Sequence, residues 1–337
     1  MDNQQNCCRL GSSLASSNLG EIFSLGFENG YTITNSTLTG NGSESLNPMQ
    51  TINWNYDELK KDFRHILCNE KGDIIIVWSK FDLAVIEKNR NGEYAKPVVL
   101  ATDNVLPIAK VSFHPLNDYS LVVLFEMELL CVFDLRTREK QQYSLPVDIS
   151  FTSFCFGPDI EWLRFTVFLT STNSQIFAVC PVIPCGTILP APIVDELFDW
   201  VAKQQASIHG ESSLSFERMK YLQAYLHYTH DYLLRFLHLY DGPNCAEANS
   251  YYIFEHETER HKSFELNWFG PLNVLPAETV SIDTEICDIM AYTSKHNNVK
   301  DLVSPILITV DSKGAISFLL LDAQVIERSN ISDQVIL

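Results

Sequence analysis

Short apolar runs separated by polar breaks follow one another along the chain from about Asp62 onward. The first set consists of Arg64–Cys68, Ile74–Trp78, Leu83–Ile86 and Val98–Leu100, each about the length of a strand. Runs rich in β-branched and aromatic residues, bounded by turn residues, are typical of strands. We therefore predict a four-stranded antiparallel meander in this part of the chain.

The same pattern is repeated further along the sequence. A second copy begins at Ala109–Pro115 and a third at Phe151–Pro158, and the Phe-x-Pro signatures that end these two segments lie 43 residues apart. A copy near the end spans Ile286–Leu321, with Asp311–Gly314 as the predicted turn of its hairpin. The chain therefore carries an internal repeat of four strands.

A period of 40 to 45 residues with four strands each indicates a β-propeller of the WD40 type. Seven such blades need roughly 300 residues, which this chain of 337 residues supplies. The copies are degenerate, because the Trp-Asp dipeptide is absent and Phe133-Asp134 is its nearest equivalent. We predict an all-β, WD40-like β-propeller with seven blades over residues 56–330.

One segment departs from the strand pattern and predicts a helical insertion over residues 192–240, in a middle blade. Its first helix runs from Pro192 to Ile208, since proline favours the first helical position and Gly210 follows the end. A second helix is predicted from Phe216 to Tyr240, although its C-terminal part is also compatible with a strand. Apolar residues of the second helix extend further around its circumference than one packed face requires.

The first 55 residues differ in composition from the rest of the chain. They are rich in Ser, Asn, Gly and Thr, which favours loops or disorder, and only Glu21–Phe27 has the pattern of a strand. We predict a flexible N-terminal segment over residues 1–55, in which that strand is a candidate for closing the propeller.

Charge and the longest apolar runs limit the classes of partner. The 42 acidic and 24 basic residues give a formal charge of −18, which disfavours direct binding to a phosphate backbone. The apolar runs are far shorter than the roughly 20 residues of a membrane helix, and the N-terminus lacks the parts of a secretory signal. The nine scattered cysteines do not suggest a disulfide framework. We expect a soluble intracellular protein that binds neither nucleic acid nor membrane directly.

The sequence contains no catalytic or metal-binding motif that supports a prediction of activity. The chain has no G-x-S-x-G, P-loop, G-x-G-x-x-G or H-E-x-x-H motif. His227, His230 and Asp231 share a helical spacing that metal sites use, but no Cys or Glu completes an obvious ligand set. Cys180 and Cys185 are spaced more widely than a C-x-x-C pair, so we interpret both as packing residues at a strand end. We predict no enzyme activity, no cofactor and no metal.

Several segments together resemble a known family. They are Lys110–Pro115, Val132–Leu135, Phe165–Thr170, Gln175–Pro184 and the closing stretch Ile306–Leu321. They are similar to the N-terminal propeller of the nucleoporins of the cytoplasmic face of the nuclear pore, the eighty-two-kilodalton fungal and eighty-eight-kilodalton animal family. The most specific feature is the Phe-Ala-x-x-Pro-x-x-Pro run followed at once by a helix.

The resemblance implies a non-enzymatic scaffold at the cytoplasmic side of the nuclear envelope, which supports mRNA export and nucleocytoplasmic transport. In this family the propeller docks the autoproteolytic domain of a GLFG-repeat nucleoporin and the helical tail of an FG nucleoporin. Family members continue into C-terminal coiled coils, so the full-length protein is expected to extend past Leu337.

The resemblance also suggests which residues bind partners, because the family's helical insertion corresponds to Pro192–Tyr240. The candidate partner-binding residues are Phe198, Trp200, Tyr221, Tyr225 and Tyr228. For each of them a purely structural role, in which it holds the insertion against its own propeller, stays open. Two other functions also stay open: a WD40-like subunit of a vesicle coat or ubiquitin-ligase assembly, and an enzyme with its site in the propeller channel.

Overall fold

The structure is a computed structural model, which describes fifteen separate stretches of the chain. They are residues 14–18, 21–26, 31–37, 48–54, 63–100, 106–126, 129–145, 148–159, 161–210, 237–240, 250–254, 267–269, 275–276, 285–292 and 306–320. The chain divides into two compact units, Met1–Phe113 and His114–Leu337.

The first unit contains two four-stranded sheets. Their strands are β1 (Leu14–Ser16), β2 (Glu21–Gly26), β3 (Tyr31–Thr37), β4 (Pro48–Trp54), β5 (His65–Cys68), β6 (Ile74–Trp78), β7 (Leu83–Glu87) and β8 (Val98–Leu100). In both sheets consecutive strands are antiparallel neighbours, in the orders β1-β2-β3-β4 and β5-β6-β7-β8. The second sheet confirms the four-strand meander predicted from the apolar runs.

The packing of β6 shows why its sequence is a continuous apolar run. Ile74 to Val77 are all buried, so both faces of this strand are covered. Alternating polar residues are expected only where one face of a strand meets water. At the turn before β6, the Asn69 side chain accepts hydrogen bonds from the backbone N–H groups of Asp73 and Ile74.

The four strands β1 to β4 correct the prediction that residues 1–55 are flexible apart from one strand. Strand β3 has the sequence Tyr-Thr-Ile-Thr-Asn-Ser-Thr, and β4 continues the ladder. β-Branched threonine suits a pleated strand although its hydroxyl makes the composition polar. The composition of this segment therefore predicted fewer strands than the structure contains. The role of this segment in closing a propeller stays a prediction.

The second unit contains the remaining strands, and its boundary with the first falls within β9. The strands are β9 (Ile108–His114), β10 (Asn117–Phe125), β11 (Leu129–Asp134), β12 (Lys140–Ser144), β13 (Phe151–Phe156), β14 (Val167–Ser171), β15 (Ile176–Cys180), β16 (Ile188–Pro190), β17 (Leu237–Tyr240), β18 (Tyr251–Phe254), β19 (Asn267–Phe269), β20 (Leu275–Pro276), β21 (Ile286–Tyr292), β22 (Ile306–Asp311) and β23 (Ile316–Leu320). A 3-10 helix spans Glu161–Phe165, and the helix α1 spans Ala191–Gly210.

These strands form three four-stranded sheets and one three-stranded sheet. Their orders are β12-β11-β10-β9, β13-β14-β15-β19, β16-β18-β17 and β20-β23-β22-β21. Strand β19 pairs with β15 although β16, α1, β17 and β18 lie between them in sequence. The described residues thus form five four-stranded sheets in all, and the predicted number of seven blades stays a prediction.

Two local predictions for this unit have clear outcomes. Helix α1 lies where the first helix of the insertion was predicted. The second predicted helix is corrected at its end, because Leu237–Tyr240 is the strand β17, as the alternative interpretation allowed. The rest of that predicted helix, residues 216–236, lies outside the described residues.

The hairpin between β22 and β23 turns at Asp311–Gly314, as predicted. The Asp311 carboxylate accepts hydrogen bonds from the backbone N–H groups of Lys313 and Ala315, at 2.9 and 2.8 Å. Gly314 has a φ of 80°, a left-handed conformation that glycine adopts without strain. The sequence Asp-Ser-Lys-Gly therefore closes this hairpin through both a side-chain cap and a permissive residue.

Candidate partner-binding site

Helix α1 has one apolar side and one acidic side. Ala191, Val194 and Leu197 follow one another at intervals of three residues and are buried. Val194 and Leu197 belong to a core cluster that also contains residues of the 3-10 helix, of β14, β15 and of the last sheet. The exposed side carries Glu196 and Asp199. The helix is therefore anchored by an amphipathic pattern and presents carboxylates to solvent.

The three-stranded sheet β16-β18-β17 holds the N-terminal end of α1. The backbone N–H of Ala191 donates to the carbonyl oxygen of Ser250 at 3.1 Å. The hydroxyl of Tyr252 on β18 donates to the carboxylate of Asp195, and partial burial together with this carboxylate raises the pKa of Tyr252. Leu237 and Phe254 continue the core beneath the helix. We call α1 together with this sheet the helix-and-sheet segment.

A buried linker connects β15 to the helix-and-sheet segment. Pro181, Val182, Ile183 and Pro184 are all buried, and they belong to the Phe-Ala-x-x-Pro-x-x-Pro run noted in the sequence. The N–H of Val182 donates to the carbonyl oxygen of Phe165 at 2.8 Å. Pro181 and Pro184 have no backbone N–H that needs an acceptor. The linker therefore requires few hydrogen-bond partners and can run through the core.

His114 fixes the same linker from β9. Its Nδ1 accepts the N–H of Leu116 at 3.2 Å, so the proton is on Nε2, which donates to the carbonyl oxygen of Val182 at 3.1 Å. The ring is buried and meets Phe156 edge to face, with centroids 4.9 Å apart. Burial lowers the pKa of His114 to about 3, although the bond to Val182 opposes the shift. His114 is thus a neutral, structural residue.

The partner-binding role of the five candidate residues stays a prediction, and the structure describes the surroundings of one of them. Phe198 on α1 is half-buried and packs against the core cluster, which shows that it helps to hold the helix in place. Trp200 also lies on α1, but its side chain is outside the described part. Tyr221, Tyr225 and Tyr228 fall outside the described residues, so their role in binding stays a prediction.

Sequence reasoning missed the acidic side of α1 as part of the candidate site. The prediction of the helix rested on Pro192 and Gly210 and gave no binding role to Asp195, Glu196 or Asp199, which all lie on the helix Ala191–Gly210. All three are exposed in the structure. Asp199 lies four residues after Asp195 and three after Glu196, spacings that make side chains neighbours on a helix surface, and this pattern was the signal available in the sequence.

The described residues hold no cluster of three or more His, Cys, Asp or Glu side chains that could bind a metal ion. His227, His230 and Asp231 lie outside these residues, and His238 is exposed on β17. Cys180 is a buried thiol at the end of β15, and burial raises the pKa of the Cys131 thiol to about 12. In the same part of the chain, no helix combines the length and apolar character needed to cross a bilayer.

Comparison with known proteins gives two relatives of the same kind. The nuclear pore complex protein NUP88 of Arabidopsis thaliana is 28% identical over 146 residues, which make up 39% of this chain and 17% of that protein. The chain is similar to nucleoporins. The nucleoporin nup82 of Schizosaccharomyces pombe is 27% identical over 123 residues, 31% of this chain and 15% of that protein. The family resemblance noted in the sequence is thereby confirmed, and no family model matches.

A solved structure extends the likeness to nearly the whole chain. The heterotrimeric complex of the Chaetomium thermophilum Nup82 NTD, Nup159 TAIL and Nup145N APD matches with a TM-score of 0.63 at 15% identity. The match covers 92% of this chain and 68% of that chain. It confirms the predicted all-β, WD40-like β-propeller class. The aligned sequence spans less than a fifth of the length of the two curated relatives.

Proposed function

We propose that this chain is a non-enzymatic scaffold domain of the nuclear pore complex, which docks other nucleoporins at the cytoplasmic side of the nuclear envelope. In this role it supports mRNA export and nucleocytoplasmic transport. The observation that carries the proposal is the pair of sequence matches to NUP88 and nup82. The names of both relatives refer to the nuclear pore and to no enzyme activity.

The proposed partners are the autoproteolytic domain of a GLFG-repeat nucleoporin and the helical tail of an FG nucleoporin. The similar solved complex contains partners of these two kinds, the Nup145N APD and the Nup159 TAIL. A net charge of −18 favours association with a basic protein surface over association with nucleic acid.

We assign the autoproteolytic domain to the helix-and-sheet segment. Helix α1 is held rigidly by its buried residues, by the bond between Tyr252 and Asp195, and by the buried linker. A rigid element loses little conformational entropy on binding. Its exposed carboxylates, Glu196 and Asp199, face solvent on the side away from this anchor and suit a basic loop of a partner.

The test is co-elution of the purified chain with the autoproteolytic domain in size-exclusion chromatography, together with a measured dissociation constant. Glu196→Lys/Asp199→Lys leaves the buried side of α1 and the bond of Asp195 intact. We expect it to weaken binding by about tenfold or more, since like charges facing each other cost several kcal/mol.

The matched control is Glu93→Lys/Glu139→Lys, which changes the net charge equally at two other exposed carboxylates. This control should bind within about threefold of the unmodified chain, because charges outside the proposed contact act only through screened, long-range fields. No association of the folded, unmodified chain would contradict the proposed function and favour a WD40-like subunit of another assembly.

A further inference from the structure

The sheet β5-β6-β7-β8 ends in a strand whose apolar side chains are partly uncovered. In β8, Val98 is 50% exposed and Val99 is 38% exposed. Successive side chains of a strand point to opposite faces of the sheet, so neither face of β8 is fully covered at these two residues. The strand is therefore accessible from both sides as well as along its edge.

The backbone of β8 has one side on which it can pair with a further strand. Residues Val98–Leu100 pair with β7, and no other strand among the described residues pairs with β8. Alternate residues of an antiparallel strand direct their backbone N–H and C=O groups to opposite edges. β8 therefore directs at least one N–H and one C=O outward, in the arrangement to which an added strand binds.

The edge strand of another sheet shows how the edge formed by β8 differs. Strand β12 ends the sheet β12-β11-β10-β9, and its sequence Lys-Gln-Gln-Tyr-Ser supplies mostly polar side chains. Soluble proteins protect edge strands against unwanted pairing with charged side chains, prolines and short strands. β8 is short, but Val98–Leu100 contains no polar side chain. Lys96 and Pro97 lie just before it, so a charged residue at its end limits which partners can pair.

A lysine lies near each end of β8. Lys96 precedes the strand by two residues, and Lys80 lies in the turn before Leu83, which pairs with Leu100 at the other end of β8. Both lysines are exposed. Residues 63–100 contain six Lys or Arg and five Asp or Glu, whereas the whole chain contains 24 and 42. β8 therefore lies in a part of the chain that lacks the acidic excess of the whole.

The turn between β6 and β7 holds Lys80 in a defined position. The Ser79 hydroxyl oxygen accepts the N–H of Asp82 at 3.0 Å, and the Lys80 carbonyl oxygen accepts the N–H of Ile108 at 2.7 Å. The Lys80 ammonium lies 5.6 Å from the centroid of the Phe81 ring, which is 45% exposed. A cation beside an exposed aromatic ring suits a segment in which an acidic residue follows an apolar one.

We propose that β8 binds an extended segment of a protein partner, which adds a strand to this edge and has apolar residues at its centre and Asp or Glu at its ends. The acidic ends match Lys80 and Lys96. In a second copy of the chain, β8 would pair antiparallel with β8 and bring the Lys96 end of one copy to the Lys80 end of the other, where like charges repel. The inference does not rest on docking by α1, because β8 belongs to the first unit and α1 to the second.

The first experiment measures binding of the fluorescent peptide Asp-Asp-Val-Ile-Val-Asp-Asp to the whole chain by anisotropy. We expect Lys80→Glu/Lys96→Glu to weaken binding by about tenfold or more, because it places like charges at both ends of the added strand. The matched control is Lys71→Glu/Lys313→Glu, which changes the net charge equally at two other exposed lysines and should bind within about threefold of the unmodified chain. Equal affinities for the two variants, or no binding to the unmodified chain, would overturn the inference.

The second experiment tests strand addition itself with two N-methylated forms of the same peptide. One form carries the methyl groups on alternate residues, and the other carries them on the residues between. An added strand donates to the sheet from alternate backbone N–H groups only. We expect one form to lose at least about tenfold in affinity and the other to stay within about threefold of the unmodified peptide. Equal affinities of the two forms would show that side chains alone hold the peptide, which contradicts strand addition.

The third experiment follows amide hydrogen exchange of residues 96–100 by mass spectrometry and needs no variant. We expect fast exchange at the outward amides of the isolated chain and protection at saturating peptide, because an added strand supplies acceptors for them. Residues 140–144 of the edge strand β12 are the internal control and should not change. Protection of residues 96–100 without peptide would overturn the inference. If dilution removes this protection, a second copy covers the edge; if it does not, another segment of the same chain does.

Discussion

At the scale of single residues, His114 shows how a polar side chain can serve the core. Both ring nitrogens have backbone partners: the Val182 carbonyl and the Leu116 N–H. The neutral ring thereby supplies a hydrogen bond to each of these groups, and a buried polar group without one would destabilise the fold. A charged ring would keep only donors and would lose the bond from Leu116. The pKa of about 3 reflects this environment, in which desolvation dominates.

The low pKa of His114 predicts a dependence of stability on pH. An unfolded histidine binds a proton as the pH falls through about 6.5, whereas the folded one does not until about pH 3. Stability is therefore complete above about 6.5 and is lost as the pH falls, by up to about 1.4 kcal/mol per pH unit from this residue.

This prediction is checked by urea unfolding between pH 7.5 and 5.5. The proteins compared are the unmodified chain, His114→Gln and His238→Gln. We expect His114→Gln to have a flatter pH profile of the free energy of unfolding, because glutamine does not titrate. His238 is exposed, so His238→Gln should keep the slope of the unmodified chain. Identical slopes for both variants would show that another group is responsible.

The residue scale also shows what the sequence could not reveal. The Phe-x-Pro repeats were visible, but the reason for Gly157 in the second of them was not. A methyl group on Gly157 would overlap the backbone carbonyl oxygen of Leu163, in the 3-10 helix. Likewise, Val182, whose carbonyl oxygen accepts the hydrogen bond of His114, lies 68 residues away in the sequence. Such contacts depend on tertiary packing, which a periodic pattern does not specify.

At the scale of elements, prediction succeeded where the apolar pattern was periodic. The strands β5 to β8 and the hairpin at Asp311–Gly314 follow directly from alternation and turn residues. It failed for β3 and β4, whose hydroxyl-rich composition resembles a loop, and it left β17 undecided between helix and strand, because its short apolar run fits both. Whether a short run of this kind forms a helix or a strand depends on the elements that pack beside it. For β17 this element is β18, with which it pairs.

Helix α1 provides a prediction at this scale, because its attachment depends on a few buried residues. Leu197→Ala removes a side chain that is 3% exposed in the core cluster. We expect a loss of about 2 to 4 kcal/mol in the free energy of unfolding and faster amide hydrogen exchange along α1. The matched change Leu239→Ala, at a leucine that is 54% exposed on β17, should cost less than about 1 kcal/mol. Similar losses for both would mean that α1 is not held by this contact.

At the scale of the whole molecule, the sequence alone indicated the propeller class and the charge, whereas the proposals for docking surfaces needed the structure. The edge strand β8 is an example. The apolar run Val98–Leu100 has the pattern of a strand, but its exposure and its place at the edge follow from the pairing of β7 with β8. The acidic side of α1 also required knowledge of which helix face is buried.

The net charge of −18 gives the last prediction, which concerns the rate at which the proposed complex forms. A strongly acidic chain attracts a basic partner over distances of about a Debye length, which shortens from roughly 14 Å at 50 mM salt to about 4 Å at 500 mM. We expect the association rate constant with the autoproteolytic domain to fall by roughly tenfold over this range, because electrostatic steering is screened. The dissociation rate constant should change less, since it reports short-range contacts. Stopped-flow mixing at several salt concentrations measures both. A salt-independent association rate would mean that apolar contacts, and not the acidic surface, guide this partner to the chain.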